Sequence, residues 1–285
     1  MQNRRAIRAI GRREAGFFTA SLDIAMDSRY AQRVGEFLDE FRARVHDLPS
    51  VQLLPLATTE DMTARVSAAP TVFDVNLVFW SDQLATLETW RSILAWRTLE
   101  LLDASVALRD EGKLVACAPV ARAAFELAQT SSVTSGRLWE VIKQITPERL
   151  REQSCFSTTF PDDIELALFG TTIQSRIDET GVQRAPKLAK SRRRLQEHKL
   201  GGEISKYYEK ISDLAHPYWL GNRPFYRRSN AGTIEQISRE YDGTWTAEIG
   251  EDLNTVLSWT AKAASNVMDQ TASGLRKMRA AFADV

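Results

Sequence analysis

The chain has 285 residues, of which 44% are hydrophobic and 26% charged, and its 37 basic residues equal its 37 acidic ones in number. This length and apolar content suffice for one large domain with a sizeable core. A net charge of zero argues against a surface that is basic throughout, so any binding to nucleic acid or to a membrane must be local.

The cysteines and the apolar segments indicate a compartment. Cys117 and Cys155 stand far apart in the sequence, so neither a disulfide framework nor a metal knuckle is predicted. The apolar stretches are interrupted by charges before they reach membrane-spanning length, and the start lacks the apolar core of a signal peptide. We therefore expect a cytoplasmic protein that does not enter a membrane.

Residues 1–70 are predicted to form a helical extension. Several arginines precede the first acid, Glu14, and we expect them on a solvated helix face or beside an anionic partner. Apolar residues between Asp27 and Val45 recur close to a helical period, which predicts a helix. A shorter helix is predicted over Thr58 to Ala68, with Thr59 as its cap.

The strongest pattern in the chain is an apolar residue at every seventh position. These residues are Trp80, Leu87, Leu94, Leu101 and Leu108. They predict a long helix with a buried seam, as in helical bundles, with Ile93 beside the seam and Trp96 in the core. Gly112 is the predicted end of this helix. The alanine-rich segment Lys113 to Gln129 is the second helix of a predicted central antiparallel hairpin.

The pattern weakens after Pro147. Residues 148–153 and 162–177 are predicted helices. A further helix begins near Glu203 and ends before Pro217, because the residue before a proline is disfavoured in helical conformation.

Two regions have strand signals: Thr71 to Phe79, where the alternation of apolar residues fits either a strand or the start of the next helix, and the C-terminal part. The pair Asp242-Gly243, with apolar residues on both sides, predicts a small β-hairpin near residues 233–249. The fold class is therefore all-α, a mostly helical bundle with one small hairpin, in a single domain over residues 1–285. Within it we expect a central bundle at 80–221, an irregular or hairpin insert at 222–250 and a C-terminal helix at 251–283.

Several common enzyme classes lack support in the sequence. The three histidines, His46, His198 and His216, are scattered without the spacing of metal ligands, so no metal site is predicted. A phosphate-binding glycine loop and a Gly-x-Ser-x-Gly nucleophile motif are both absent from the sequence. No cofactor is expected.

Five polar residues on two predicted helices form a candidate site. Tyr208, Ser212 and His216 follow at intervals of four, which places them on one stripe of a helix. Arg122 and Glu126 have the same spacing on the alanine-rich helix, at the edge of its apolar stripe. The negative end of the helix dipole favours protonated His216, so an acid–base role near neutral pH is chemically available. Metal-free RNA cleavage can use such a histidine, with an arginine or lysine to stabilise the phosphorane charge.

A structural role explains the same residues. His216 then caps the last carbonyl groups of its helix, and Tyr208 and Ser212 satisfy buried polar neighbours. Both interpretations remain open from the sequence.

Two motifs carry a family resemblance. They are the Ala-Arg-Ala-Ala-Phe-Glu segment from Ala121 to Glu126 and the Tyr-x-x-x-Ser-x-x-x-His-Pro segment from Tyr208 to Pro217. With the long Trp/Leu helix, they resemble uncharacterised bacterial helical proteins that are similar to HEPN-type domains. Some HEPN-type domains act in abortive infection and toxin–antitoxin systems. The resemblance spans roughly Trp80 to Gly221.

The resemblance implies roles for particular residues. HEPN ribonucleases carry an arginine four to six residues before a histidine on one helix, and here Lys210 occupies the corresponding place before His216. The resemblance makes His216 the candidate catalytic residue and Lys210 a substitute cation, with Arg122 supplying further positive charge from a neighbouring helix. It implies RNA as substrate and an antitoxin or other protein as partner.

A basic segment precedes the motif helix. No acid lies between Glu179 and Glu197. The candidate nucleic-acid-binding residues are Lys187, Lys190, Arg192, Arg193, Arg194 and Lys199. They suit an RNA backbone, although a run of charge is equally typical of a solvated face.

Two main functional hypotheses follow from these patterns, beside a third, a small-molecule binder lined by Trp90, Trp96 and Trp139, whose rings are more typical of a core. The first is a prokaryotic defence- or stress-type helical protein that engages RNA, with metal-independent endoribonuclease activity centred on His216. The second is a non-enzymatic protein-interaction module whose helical seam mediates homodimerisation or partner docking. A homodimer is expected in either case.

Overall fold

A computed structural model describes residues 32–48, 59–155, 159–170, 174–180, 201–216, 222–228, 234–237 and 243–283. Within them the helices are α1 (Val34–His46), α2 (Thr59–Ala68), α3 (Val72–Asp110), α4 (Leu114–Ile142), α5 (Pro147–Glu152), α6 (Thr159–Phe169), α7 (Gln174–Thr180), α8 (Gly201–Ala215) and α9 (Gly243–Ala283). The mostly helical, bundle-type fold is therefore confirmed. No helix in these ranges is long and apolar enough to cross a membrane.

The predicted hairpin near residues 233–249 is not confirmed. Gly243 begins α9, and Trp245 and Ile249 lie on that helix rather than on a strand. Their spacing of four continues to Leu253, which is a helical period, and Trp245 is buried. The short antiparallel pair in the described residues is β1 (Tyr226–Arg228) and β2 (Ile234–Ile237), next to a 3-10 turn.

The chain divides into two compact units, each made of segments that are distant in sequence. One unit comprises Met1–Ala43, Arg97–Gln129 and Leu188–Ala264, and the other comprises Arg44–Trp96, Thr130–Lys187 and Ser265–Val285. We call them the first and the second unit.

The core of the first unit is built on the alanine-rich part of α4. The buried alanines are Ala118, Ala121, Ala124 and Ala128. Small side chains allow close approach of another helix, and Phe125 packs on Trp259 of α9 with ring centroids 4.7 Å apart. The predicted second helix is thus confirmed as a core element.

The core of the second unit contains the first part of the heptad seam. Trp80, Leu87 and Leu94 are buried as predicted, and the Trp80 ring meets Phe160 of α6 edge-on at 5.0 Å. A Cβ added at Gly274 of α9 would lie 2.9 Å from Cδ1 of Ile142, so glycine permits close packing there.

Gly112 ends α3 as predicted. Its φ of +72° is a left-handed conformation that disfavours residues with a Cβ. The amide of Lys113 donates to the carbonyl of Leu108, and the amide of Gly112 donates to the carbonyl of Arg109. These two bonds form a Schellman cap, which satisfies carbonyl groups that the helix end leaves open.

Candidate functional site

Three of the predicted site residues meet in the first unit. Arg122 Nε donates to Glu126 Oε1 at 2.8 Å on α4, and Tyr208 of α8 donates its hydroxyl to the same oxygen at 2.8 Å. A second guanidinium nitrogen of Arg122 donates to the Tyr208 hydroxyl at 3.3 Å. The local i,i+4 pair was visible in the sequence, whereas the contact with Tyr208 comes from packing of α8 on α4.

This triangle neutralises the cation that metal-free cleavage would use. The hydrogen bond that Arg122 donates to Glu126 raises the pKa of Arg122, although partial burial opposes that shift. The guanidinium also lies 5.5 Å from the centroid of the Tyr208 ring, and that ring stacks against Phe125. Because Glu126 already balances its charge, Arg122 has little net positive potential to offer a phosphate.

His216 lies beyond this triangle. It is exposed and follows the last residue of α8, and its backbone amide donates to the carbonyl of Asp213 at 3.3 Å. The rise of a helix places the Cα atoms of Tyr208 and His216 about 12 Å apart. Between them, the Ser212 hydroxyl oxygen is buried and has no hydrogen-bond partner. The structure therefore brings Arg122 to Tyr208, whereas His216 lies about two helical turns beyond Tyr208, just after the end of α8.

Lys210 is held on a different partner. Its Nζ contacts both carboxylate oxygens of Asp252 on α9, at 2.8 and 3.0 Å. This hydrogen bonding raises the pKa of Lys210. The pair fastens α8 to α9, and an ammonium so engaged is poorly placed to serve His216.

The predicted nucleic-acid-binding residues cannot be placed. Lys187, Lys190, Arg192, Arg193, Arg194 and Lys199 all lie outside the described residues. In the parts of the chain that are described, no group of three histidine, cysteine or acidic residues is arranged to hold a metal.

One face of α3 is exposed although its residues were not predicted to form a surface. Ile93 and Trp96, predicted beside the seam and in the core, are 45% and 43% exposed. Ile93 and Trp96 are rotated about the helix axis by about 100° and 200° from Leu94, so they point away from the buried seam. Angle alone does not identify them, because Ala95 and Ser92 lie at similar angles from Leu94 on the other side of the helix and are buried.

These two residues belong to a longer row. The outer stripe consists of Val78, Asp82, Ala85, Thr89, Ile93 and Trp96. None of its members is buried, and the spacing of three and four residues keeps them on one face. The Thr89 hydroxyl donates to the carbonyl of Ala85 at 3.0 Å, so this side chain can turn its methyl group outward.

A shallow apolar cavity adjoins α3 near its N-terminal end. Its volume is about 300 Å³, and it is lined by Met62, Thr63, Val66, Ser67 and Phe79. The lining carries no charged residue, and its polar side chains are the hydroxyls of Thr63 and Ser67. It does not coincide with the Arg122 triangle or with His216.

Comparison with known proteins adds no assignment. No protein-family model, no curated protein and no solved structure matches the chain.

Proposed function

We propose that the protein is a non-enzymatic interaction module that forms a homodimer through the outer stripe of α3. The observation that carries this proposal is the exposure of Ile93 and Trp96, one turn apart on a helix whose opposite face is already buried. Neighbouring exposed apolar side chains form a patch of the kind that marks protein contacts, and tryptophan is a preferred anchor of protein interfaces.

The stripe is complementary to itself. Trp96 and Ala85 are eleven residues apart, which is about three turns and about 17 Å along one face. In an antiparallel pairing centred between residues 90 and 91, Trp96 of each copy lies opposite Ala85 of the other. Large side chains then face small ones at both ends, which is the condition for interdigitated helix packing and for a two-fold symmetric interface.

The oligomeric state tests this proposal. Wild-type protein is expected to sediment with a mass near twice the 32.1 kDa of the chain. Trp96→Glu places a carboxylate in the interface and should give a monomer with an unchanged far-ultraviolet circular dichroism spectrum. Ala85→Trp, which sets bulk against Trp96, should weaken the dimer as well.

Leu77→Glu is the matched control. Leu77 is 39% exposed on α3 but points about 120° away from the outer stripe, so this variant should remain a dimer. A monomeric wild type at micromolar concentration, or a Trp96→Glu variant that stays dimeric, contradicts the proposal.

A second candidate function is engagement of RNA, with His216 as the centre of metal-independent cleavage in an HEPN-like core. The exposure of His216 directly after α8 supports this candidate, because the imidazole can reach a ribose hydroxyl in solution. In this candidate the protein acts in defence or stress, with an antitoxin as partner. The cation would have to come from a residue other than Arg122.

Cleavage of mixed cellular RNA tests the second candidate. Products from the wild type that His216→Ala abolishes would support it, with His46→Ala as control because His46 is also exposed at a helix end. Intact RNA with the wild type over a range of pH values contradicts it.

A further inference from the structure

Two arginines of the second unit, Arg91 on α3 and Arg276 on α9, lie near enough to each other for their charges to interact. Glu88 and Arg91 are one turn apart on α3, and Arg276 and Arg279 are one turn apart on α9. Arg279 forms an ion pair with Glu88, which joins these two helix faces. Arg91 and Arg276 therefore lie on the faces that the ion pair brings together.

The acidic residues that act on Arg91 already form ion pairs with other arginines. Glu88 pairs with Arg279, and Asp269 pairs with Arg44 at 3.1 Å. Among the residues that the structure describes, neither Arg91 nor Arg276 forms an ion pair with a carboxylate. Arg44 and Arg279 thus hold the two carboxylates that lie near Arg91, and Arg91 and Arg276 are the guanidinium groups outside these two ion pairs.

Arg91 is the unusual member of the group. Its Nε atom is buried and has no hydrogen-bond partner. Burial lowers the pKa of Arg91, and the neighbouring Arg276 lowers it further, while Glu88 and Asp269 oppose the shift. A half-buried donor without an acceptor is costly, and an anion that accepts from it removes that cost.

We propose that Arg91 and Arg276 form an anion site that binds a phosphate group. Guanidinium groups match the oxygens of phosphate geometrically, and two of them can contact different oxygens of one tetrahedral group. Arg91 supplies a donor that is partly shielded from water, and Arg276 supplies an exposed one. The phosphate belongs either to a small molecule or to an RNA backbone, and both present the same chemistry.

Titration with inorganic phosphate tests the site. The full-length protein, at constant ionic strength set with chloride, is expected to release heat on binding and to show a raised melting temperature. Arg91→Met and Arg276→Met should each weaken phosphate binding at least tenfold. Arg91→Met should also melt higher than the wild type without phosphate, because the unpartnered donor is gone.

Arg97→Met is the control, because Arg97 is an exposed arginine of the same helix that is not part of the proposed site. A labelled oligoribonucleotide distinguishes the source: displacement of bound RNA by phosphate identifies a backbone phosphate, and phosphate binding without RNA binding identifies a small anion. The site is overturned if phosphate does not bind the wild type, or if all three variants bind it equally.

Discussion

Pairing and burial decide which charged side chains remain available to a ligand. Arg122 donates hydrogen bonds to Glu126 and Tyr208, and Lys210 forms an ion pair with Asp252. Both candidate cations therefore hold helices together. Arg91 has the opposite status, with a buried Nε that lacks a partner. Charge alone, as counted in a sequence, does not separate these cases, because the separation depends on what packs against each guanidinium or ammonium.

Removing the Tyr208 hydroxyl should destabilise the first unit. Tyr208→Phe deletes a group that donates to Glu126 and accepts from Arg122, and we expect a loss of about 1 kcal/mol in the free energy of unfolding. Urea denaturation measures it. Glu36→Gln is the control, because its partner Arg33 is also exposed and no measurable change is expected. An unchanged Tyr208→Phe variant would show that the triangle does not contribute to stability.

The thiol of Cys117 should be unreactive in the folded protein. Burial raises its pKa from 9.0 to about 11, and its Sγ donates to the carbonyl of Ser105. At pH 8 the thiolate population is then about one hundredth of that of an unperturbed thiol. In a Cys155→Ala background, iodoacetamide should alkylate the native protein about 100-fold more slowly than the urea-unfolded protein. Equal rates would contradict the burial.

The same shift has a defined sign for stability. Between pH 9 and about 11 the unfolded chain loses the Cys117 proton while the folded chain keeps it, so the unfolded state binds fewer protons. Stability should therefore fall as the pH rises through this window. The measurement compares the urea midpoints of the wild type and Cys117→Ala at pH 8.5 and 10.5. The fall in midpoint between these two pH values should be smaller in the variant, which has no thiol to titrate.

At the scale of elements, a single buried amide attaches α5 and the residues after it to α3. The Asn76 side chain donates to the carbonyls of Leu150 and Gln153, each at 2.8 Å, and accepts from the amide of Cys155 at 2.9 Å. The helix α5 has only six residues, which is too short to be stable alone. Its position therefore depends on this residue and on the buried Leu150.

Asn76→Leu should release that segment. Three hydrogen bonds are lost and buried backbone groups are left without partners, so we expect the free energy of unfolding to fall by about 3 kcal/mol. Hydrogen exchange at the Cys155 amide should accelerate more than exchange in the core of α4. Gln144→Leu, an exposed amide change in the same unit, should leave both quantities unaltered. Protection of the Cys155 amide in Asn76→Leu would contradict this role.

At the scale of the whole molecule, charge balance governs colloidal behaviour. The net charge is zero and the calculated isoelectric point is about 6.9. Without net repulsion, copies approach one another readily near neutral pH.

Solubility should therefore pass through a minimum near pH 7 and rise on either side. Light scattering of concentrated protein between pH 5 and 9 measures this profile. Trp96→Glu adds one negative charge and removes an exposed ring. It should move the solubility minimum to a slightly lower pH and raise the solubility at that minimum. A monotonic profile across this range would contradict the charge argument.

Features of the chain that depend on local spacing were predictable. The heptad residues predicted α3, Gly112 predicted its end, and the i,i+4 relation predicted that Arg122 and Glu126 are neighbours. The hairpin prediction failed because Asp242-Gly243 is also a local signal, and the helical spacing of Trp245 and Ile249 prevailed over it. The choice between hairpin and helix at these residues rests on which periodicity buries more apolar surface.

Tertiary packing alone decided which distant residues meet. Tyr208 joins Arg122, Lys210 joins Asp252, and Asn76 reaches a loop more than 70 residues away. Exposure was decided in the same way, since Ile93 and Trp96 are apolar but lie on a face of α3 that the other described residues leave exposed. Spacing along a helix determines which side chains share a face, whereas the partner of that face depends on contacts between segments far apart in sequence.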